Sequence, residues 1–402
     1  MPEGPGPGPL QGVRVVEAAT LAAGPMAGAT LGEFGAEVIK VEQPGAGDPM
    51  RTWGRRRDGI GLAWKSVSRN KRCVTLDLRR PEGQELLHRL LDVSDVFVVG
   101  NRPSALERWT IDYETVHARH PQIVMCHITG YGRGGPKSDR PGYGTLAEAM
   151  SGFAHVVGQP DGPPTLPPFM LADGVASLAA TYAVVMALYH RDLHGGSGQL
   201  VDVNLVEPLA RLIETSTLAF DQLGEIPGRV GNRLDASAPR NAYRTADDRW
   251  LAVSSASPNI AKRVYRAIDR PELAEDPDYV DPVRRQERAG EVDELVAKWV
   301  VERTLAEAMA VFEAAEVTAA PVYDAAQLLA DEHLQARGTY VTVDDPDLGP
   351  MTVQAPVAQL TETPGRVDHL GRALGADNAA VYGGILGLDD DRLAALQAEG
   401  VI

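Results

Sequence analysis

Asp173 has the strongest claim to chemistry. It stands in Leu171-Ala172-Asp173-Gly174, directly ahead of the apolar run VASLAATYAVVMALYHR. A carboxylate at the mouth of a helix has two uses. It accepts backbone N–H bonds as a cap, or it is held at the positive end of the helix as a nucleophile. The two uses compete, because a fully engaged cap attacks poorly. Ahead of it lies the glycine-bearing loop Gly130–Gly135, followed by Tyr143. Backbone amides of that loop, Gly132 among them, and the Tyr143 hydroxyl are candidates for stabilising an oxyanion. Their ordinary alternatives are a surface turn and a core tyrosine. A third group is cationic: Arg51, Arg55, Arg56, Arg57, Arg69, Lys71 and Arg72 crowd into residues 51–72. Such a cluster suits a multiply phosphorylated small molecule, or it is a solvated loop.

These residues sit in a chain of 402 with 44% hydrophobic and 23% charged residues, enough for two to four domains. The net charge of −16 repels phosphate backbones and argues against nucleic-acid binding. Cys73 and Cys126 both fall in β-branched apolar runs with no metal or redox spacing, so buried thiols in a reducing compartment are expected. The start, MPEGPGPGPL, lacks an apolar signal core, and a cytoplasmic location is expected. Val175–Leu188 falls short of the ~18 residues that suggest a membrane span. It is expected to be a buried helix, with no membrane partner.

The elements that must position these groups alternate. Val13–Glu17 reads as a strand, Pro25–Phe34 as a small-residue helix and Glu37–Val41 as a strand, a βαβ unit. Cys73–Leu78 is a strand, Pro81 opens a helix at the position that tolerates proline, and Val96–Val99 and Ile123–Ile128 are further strands. A large doubly wound, Rossmann-like α/β domain follows. The turn TLAAGPMAG lacks GxGxxG, which rejects a nicotinamide cofactor. After GGSG at Gly195–Gly198 come a strand, Gln199–Val203, and a long helix to about Gln222. The boundaries expected are a large domain over 1–210, a linker over 211–228, a smaller inserted α/β domain over 229–315, and a return to the large domain over 316–402. Thr318–Tyr323 is a strand candidate, and Val341–Leu348 and Pro350–Val353 read as paired strands.

Several motifs then fall in order: LQGVRVVEAATLAAGPMAGATLGEFGAEVIKVEQPGAGDPMR at the start, SRNKR at Ser68–Arg72, RPSALERW at Arg102–Trp109, HITGYGRGGPKSDRPGYG at His127–Gly144, LADG at Leu171–Gly174, GSGQLVDVNLVEPL at Gly196–Leu209, and AAPVYD at Ala319–Asp324. Together they resemble the class III CoA-transferases, the CaiB/BaiF type. The resemblance implies that Asp173 is the catalytic aspartate, with acyl-CoA and a carboxylic acid as partners. Coenzyme A enters as substrate and no cofactor is tightly bound. It places Leu21, Ala22, Ala23, Gln43, Arg51, Asn70, Lys71, Arg72, Asn101, Arg108 and Leu205 around CoA. It also implies an interlocked homodimer.

Departures from the family pattern are Gln43 after the second strand, Gly100-Asn101 where an Asn-Phe pair is usual, and Gly144 where an acid usually follows the tyrosine. No long glycine-rich lid is present, which argues against formyl-CoA and oxalate. The same family includes 2-methylacyl-CoA racemases, which resemble this chain at Asp173 but carry His-Asp where Tyr143-Gly144 stands. A non-catalytic CoA-binding paralogue is the other alternative. PDGPPTLPPFM, ahead of Asp173, is expected to line an apolar acyl pocket, or to be a rigid linker.

Overall fold

The structure is a computed structural model, and it describes residues 8–402. The chain divides into two units. The first runs to Phe153, resumes over Leu166–Leu218 and ends with His333–Ile402; the second joins Ala154–Thr165 to Ala219–Glu332.

The first unit is built on a six-stranded parallel sheet. Its strands are β1 (Arg14–Glu17), β2 (Glu37–Glu42), β3 (Lys71–Thr75), β4 (Val96–Val99), β5 (Val124–Thr129) and β6 (Leu200–Asn204). They lie side by side in the order β3-β2-β1-β4-β5-β6. That is a doubly wound sheet whose order reverses between β1 and β4. The strands are rich in buried Val, Ile and Phe because both faces are covered, with charged residues such as Glu17, Lys40 and Lys71 placed among them. Alternate residues serve opposite faces: Val16, Phe97, Val99 and Met125 enter one core, while Val15, Val96, Val98 and Val124 enter the other.

Helix α1 (Ala23–Glu33) carries small residues that let it lie close to the sheet. Gly28 is required there: a Cβ would stand 1.9 Å from Glu17 Oε2. Helix α2 (Pro81–Leu91) begins on its proline and buries Leu86, Leu87, Leu90 and Leu91 on the opposite face. Helix α3 (Gly144–Met150) is short. Helix α4 (Leu171–His194) has 24 residues and packs Ala172, Ala176, Ala180 and Val184 into the core of α1. By length and composition alone α4 is apolar enough to cross a membrane. It is not the wholly buried helix expected, since Leu178, Tyr182, Met186 and Tyr189 on its other side are exposed.

The second unit has a three-stranded antiparallel sheet of β7 (Arg240–Arg244), β8 (Trp250–Ser254) and β9 (Ala319–Pro321), ordered β9-β8-β7. Helices over Pro258–Ala267, Ala289–Val300 and Leu305–Ala314 cover it around Tyr265, Trp299 and Phe312. The AAPVYD segment was expected to mark the return to the large domain. It instead supplies β9, with neighbouring Val317 in this core, so the return comes at His333. The small unit also reaches back to take Ala154–Thr165 and starts its main part at Ala219 rather than 229. The long helix expected to Gln222 is two, Glu207–Leu212 and Glu214–Leu223. Strands β10 (Tyr340–Asp345) and β11 (Gly349–Gln354) pair antiparallel in the first unit, as the two runs suggested.

Candidate active site

The C-terminal ends of β1, β4, β5 and β6 open onto one cavity of about 640 Å³, all within the first unit. Ala19–Leu21 follow β1, Gly100–Arg102 follow β4, and Leu205 follows β6. The cavity therefore lies where the strand order reverses, the place open α/β sheets keep for ligands. Asp173 lines it.

Asp173 is the third residue of α4, not its cap. The N-cap is Met170, which makes no side-chain bond. No other residue among those described donates a hydrogen bond to the Asp173 carboxylate. The Asp173 carboxylate therefore does not serve as the cap of α4. Burial raises its pKa above the ordinary aspartate range, and the neighbouring Glu148 raises it further; only its own backbone amide opposes them. Room for the carboxylate comes from Gly144, where a Cβ would stand 2.4 Å from Asp173 Oδ2. The glycine found where an acid is usual is the space that the Asp173 carboxylate occupies. A second carboxylate is present all the same: Glu148, one turn along α3, lines the cavity and is 3% exposed. Glu148 is not among the site residues expected from the sequence. Its spacing of four from Gly144 was the available signal, since it puts both on one helix face.

The remaining predicted residues divide. Leu21, Ala22, Ala23, Asn101, Tyr143 and Leu205 line the cavity with Asp173. Leu21 holds the left-handed conformation, φ 65°, which is uncommon for a branched side chain. Its amide donates to Asp48 Oδ1 and Oδ2 at 3.1 and 3.2 Å. Ala22 caps α1 without a side-chain bond, so first-turn amides of α1 face the cavity wall. Tyr143, immediately before α3, is 64% exposed and is no core residue.

The basic cluster is not at the cavity. Lys71 is fully buried: its Nζ lies 2.6 Å from Glu17 Oε2 and donates to the Pro25 carbonyl at 2.6 Å. Burial lowers its pKa despite Glu17. Arg72 points away and pairs with Glu37 at 3.2 Å. Asn70 is a left-handed turn residue, φ 58°, tied to the Gly32 and Arg366 carbonyls. Arg51 lies over the Trp64 ring at 3.8 Å and binds Glu42 through two 2.7 Å hydrogen bonds, so it is neither solvated nor lining. Gln43 and Arg108 stand outside the cavity wall. Gly132 does too, and its amide already donates to Thr129 Oγ1 at 2.8 Å, which removes it as an oxyanion donor. The cations that do line the cavity are Arg102 and Arg140. Neither side chain is ion-paired or hydrogen-bonded among the described residues.

Beneath the Leu21 turn lies a buried charge network. Lys40 Nζ meets Glu17 Oε1 at 3.0 Å, Asp48 Oδ2 at 2.8 Å and the Ala19 carbonyl at 2.9 Å. Burial disfavours its charge, but Glu17, Asp48 and Glu42 outweigh that and raise its pKa. Asp48 is thereby fixed where it receives the Leu21 amide. The thiols take no part: burial pushes Cys73 up to about 11 and Cys126 up to about 12.

The doubly wound sheet keeps a carboxylate, Asp173, in the wall of the cavity at its switch point. The family described as CoA-transferase family III matches residues 10–378. The chain belongs to that family and is a CoA-transferase. It is 41% identical over 397 residues to a succinyl-CoA–D-citramalate CoA-transferase of Chloroflexus aurantiacus, covering 98% of both chains. It is 37% identical to the beta subunit of a succinyl-CoA–L-malate CoA-transferase of the same organism, again over 98% of both. A human succinyl-CoA:glutarate CoA-transferase is 29% identical, over 98% of this chain and 90% of that one. Among solved structures, a CaiB/BaiF family protein from Brucella suis superposes with a TM-score of 0.83 at 28% identity, over 94% of this chain and all of that one.

Proposed function

We propose that this enzyme carries CoA from a dicarboxylic acyl-CoA, succinyl-CoA foremost, to a second dicarboxylic acid, with Asp173 as the nucleophile. The uncapped, half-buried carboxylate at the cavity wall carries the reading. Asp173 attacks the thioester carbonyl, the C–S bond breaks, and CoA leaves as the thiolate while a mixed acyl–aspartyl anhydride forms. The thiolate then attacks the aspartyl carbonyl of the anhydride, which releases the donor acid and leaves CoA on Asp173 as a thioester. The acceptor carboxylate attacks that thioester, the thiolate leaves again, and a new anhydride forms. Attack of the thiolate on the acceptor's carbonyl yields the new acyl-CoA and restores Asp173. Every bond formed is matched by one broken, and no oxidant or metal is called for. The anhydride needs shelter from water. Pro167, Pro168 and Phe169 wall the cavity and suit that role, as well as the methylenes of the acyl chain.

The choice of dicarboxylates rests on Arg140 and Arg102, together with the likeness to proteins named for succinyl-CoA, citramalate, malate and glutarate. A dicarboxylic acid joined to CoA at one end keeps a charge at the other, and an unpaired guanidinium in the wall answers it. The uncapped start of α1 offers further amides to anionic groups. A homodimer belongs to the same proposal, and the exposed apolar side of α4 supports it. The test is to supply succinyl-CoA with isotopically labelled C4–C6 dicarboxylic acids and with monocarboxylic acids of equal length. Labelled dicarboxyl-CoA esters are expected; transfer to monocarboxylic acids alone would contradict the proposal.

A further inference from the structure

Two carboxyl groups meet at the start of α4, and the reaction so far uses one. Glu148 Oε1 accepts a hydrogen bond from the Ala172 amide at 3.3 Å. That amide is one of the first-turn donors that a helix leaves without an internal partner. Met170 offers it nothing. Asp173, three residues into α4, is the local side chain able to fold back on such amides, and Glu148 reaches across from α3 in its stead. Glu148 is nearly fully buried, while its Oε2 has no hydrogen-bond partner among the described residues and the side chain lines the cavity.

We propose that Glu148 is a positioning residue that caps α4 in place of Asp173 and so leaves the nucleophile's carboxylate free to attack. The inference rests on Asp173 being the nucleophile. A second effect runs alongside the first. Glu148 is the only charged side chain among the causes of the raised Asp173 pKa. A more basic carboxylate is a better nucleophile, so the pairing keeps Asp173 reactive as well as free. The other charged or titratable groups lining the cavity are Arg102 after β4, and Arg140 and Tyr143 ahead of α3. None of the three is a cause of the Asp173 shift.

The test compares Glu148→Gln, Glu148→Ala and Asp173→Asn in the full-length enzyme, reading kcat, KM for acyl-CoA and the pH profile of exchange. Glu148→Gln keeps an acceptor for the Ala172 amide and removes the charge. Its acid limb should move to lower pH, with kcat near neutrality down about three- to tenfold and KM held. Glu148→Ala also frees the amide, so Asp173 turns back to cap it; kcat should fall about 10²-fold with little change in KM. A purely structural role for Glu148 would leave the acid limb where it is. Wild-type kcat in Glu148→Ala overturns the capping role, and an acid limb in Glu148→Gln that superimposes on the wild type overturns the charge effect. Asp173→Asn separates the two claims. If it is inert while Glu148→Ala keeps the wild-type kcat, the nucleophile stands and the capping role of Glu148 falls. If Asp173→Asn exchanges normally, the nucleophile itself is wrong.

Discussion

Replacing Gly144 with alanine should disable exchange without weakening the fold. A Cβ at 144 would stand 2.4 Å from Asp173 Oδ2 and 3.4 Å from its Cγ; the next atom, Ala172 Cβ, is at an ordinary 3.9 Å. An unstrained contact is about 3.5 Å, so the carboxylate must withdraw by roughly 1 Å. A displacement of that size at a reacting atom costs about 10²-fold in kcat. The backbone has no objection, since Gly144 opens α3 without a positive φ. Alanine in a helix is favoured over glycine by about 0.5–1 kcal/mol. The assay is initial-rate exchange between succinyl-CoA and a labelled dicarboxylic acid, alongside chemical denaturation. A variant with undiminished kcat would refute the claim that the Asp173 carboxylate fills the space above Gly144. A variant that unfolds early would refute the claim that this space serves the nucleophile alone.

Other outcomes follow from the same geometry. Asp173 has a raised pKa when folded, so activity should fall as pH drops through a value above the usual aspartate range; an acid limb below that range would contradict the burial argument. The same shift means that the folded state binds this proton more readily than the unfolded state, so the group's contribution to stability declines as pH rises. Asp173→Asn should therefore melt no lower than wild type at pH 7, with its advantage shrinking toward pH 5; a lower melting temperature at pH 7 would count against it. Arg140→Ala should raise KM for dicarboxylic acceptors about tenfold or more and leave monocarboxylic ones unchanged, read by acceptor titration. Lys40→Met leaves Glu17 only Lys71 and removes the cation paired with the buried Asp48, and should cost about 3–5 kcal/mol by denaturant titration; an unchanged midpoint would refute the network's role.

Much of the large unit was legible because its strands are short apolar runs divided by turn residues. Val96–Val99 appears as read, and Glu37–Val41 and Ile123–Ile128 shift by a residue or so. The place of Asp173 in the first turn of a long helix was legible because LADG stands directly ahead of an apolar run. The freedom of its carboxylate was not, since the group that caps α4 comes from α3, 24 residues away in sequence. The cationic cluster misled for a related reason. Clustering in sequence does not tell which side chains a strand turns inward. Lys71 opens β3 facing Glu17, while its neighbour Arg72 faces outward to Glu37. Arg102 and Arg140, 38 positions apart by subtraction, reach one cavity because β4 and the loop after β5 end side by side. The AAPVYD strand misled because a short apolar strand carries no mark of the sheet it joins; here β8 of the small unit takes it.

The account stands on a covalent bond to one side chain. The direct measurement is to incubate the enzyme with succinyl-CoA alone, quench with hydroxylamine or borohydride, and map the modified residue by peptide mass spectrometry. The account predicts a hydroxamate, or the reduced alcohol, at Asp173 and nowhere else. Modification at Glu148 instead, or an unmarked enzyme that still exchanges acids at full rate, would contradict it.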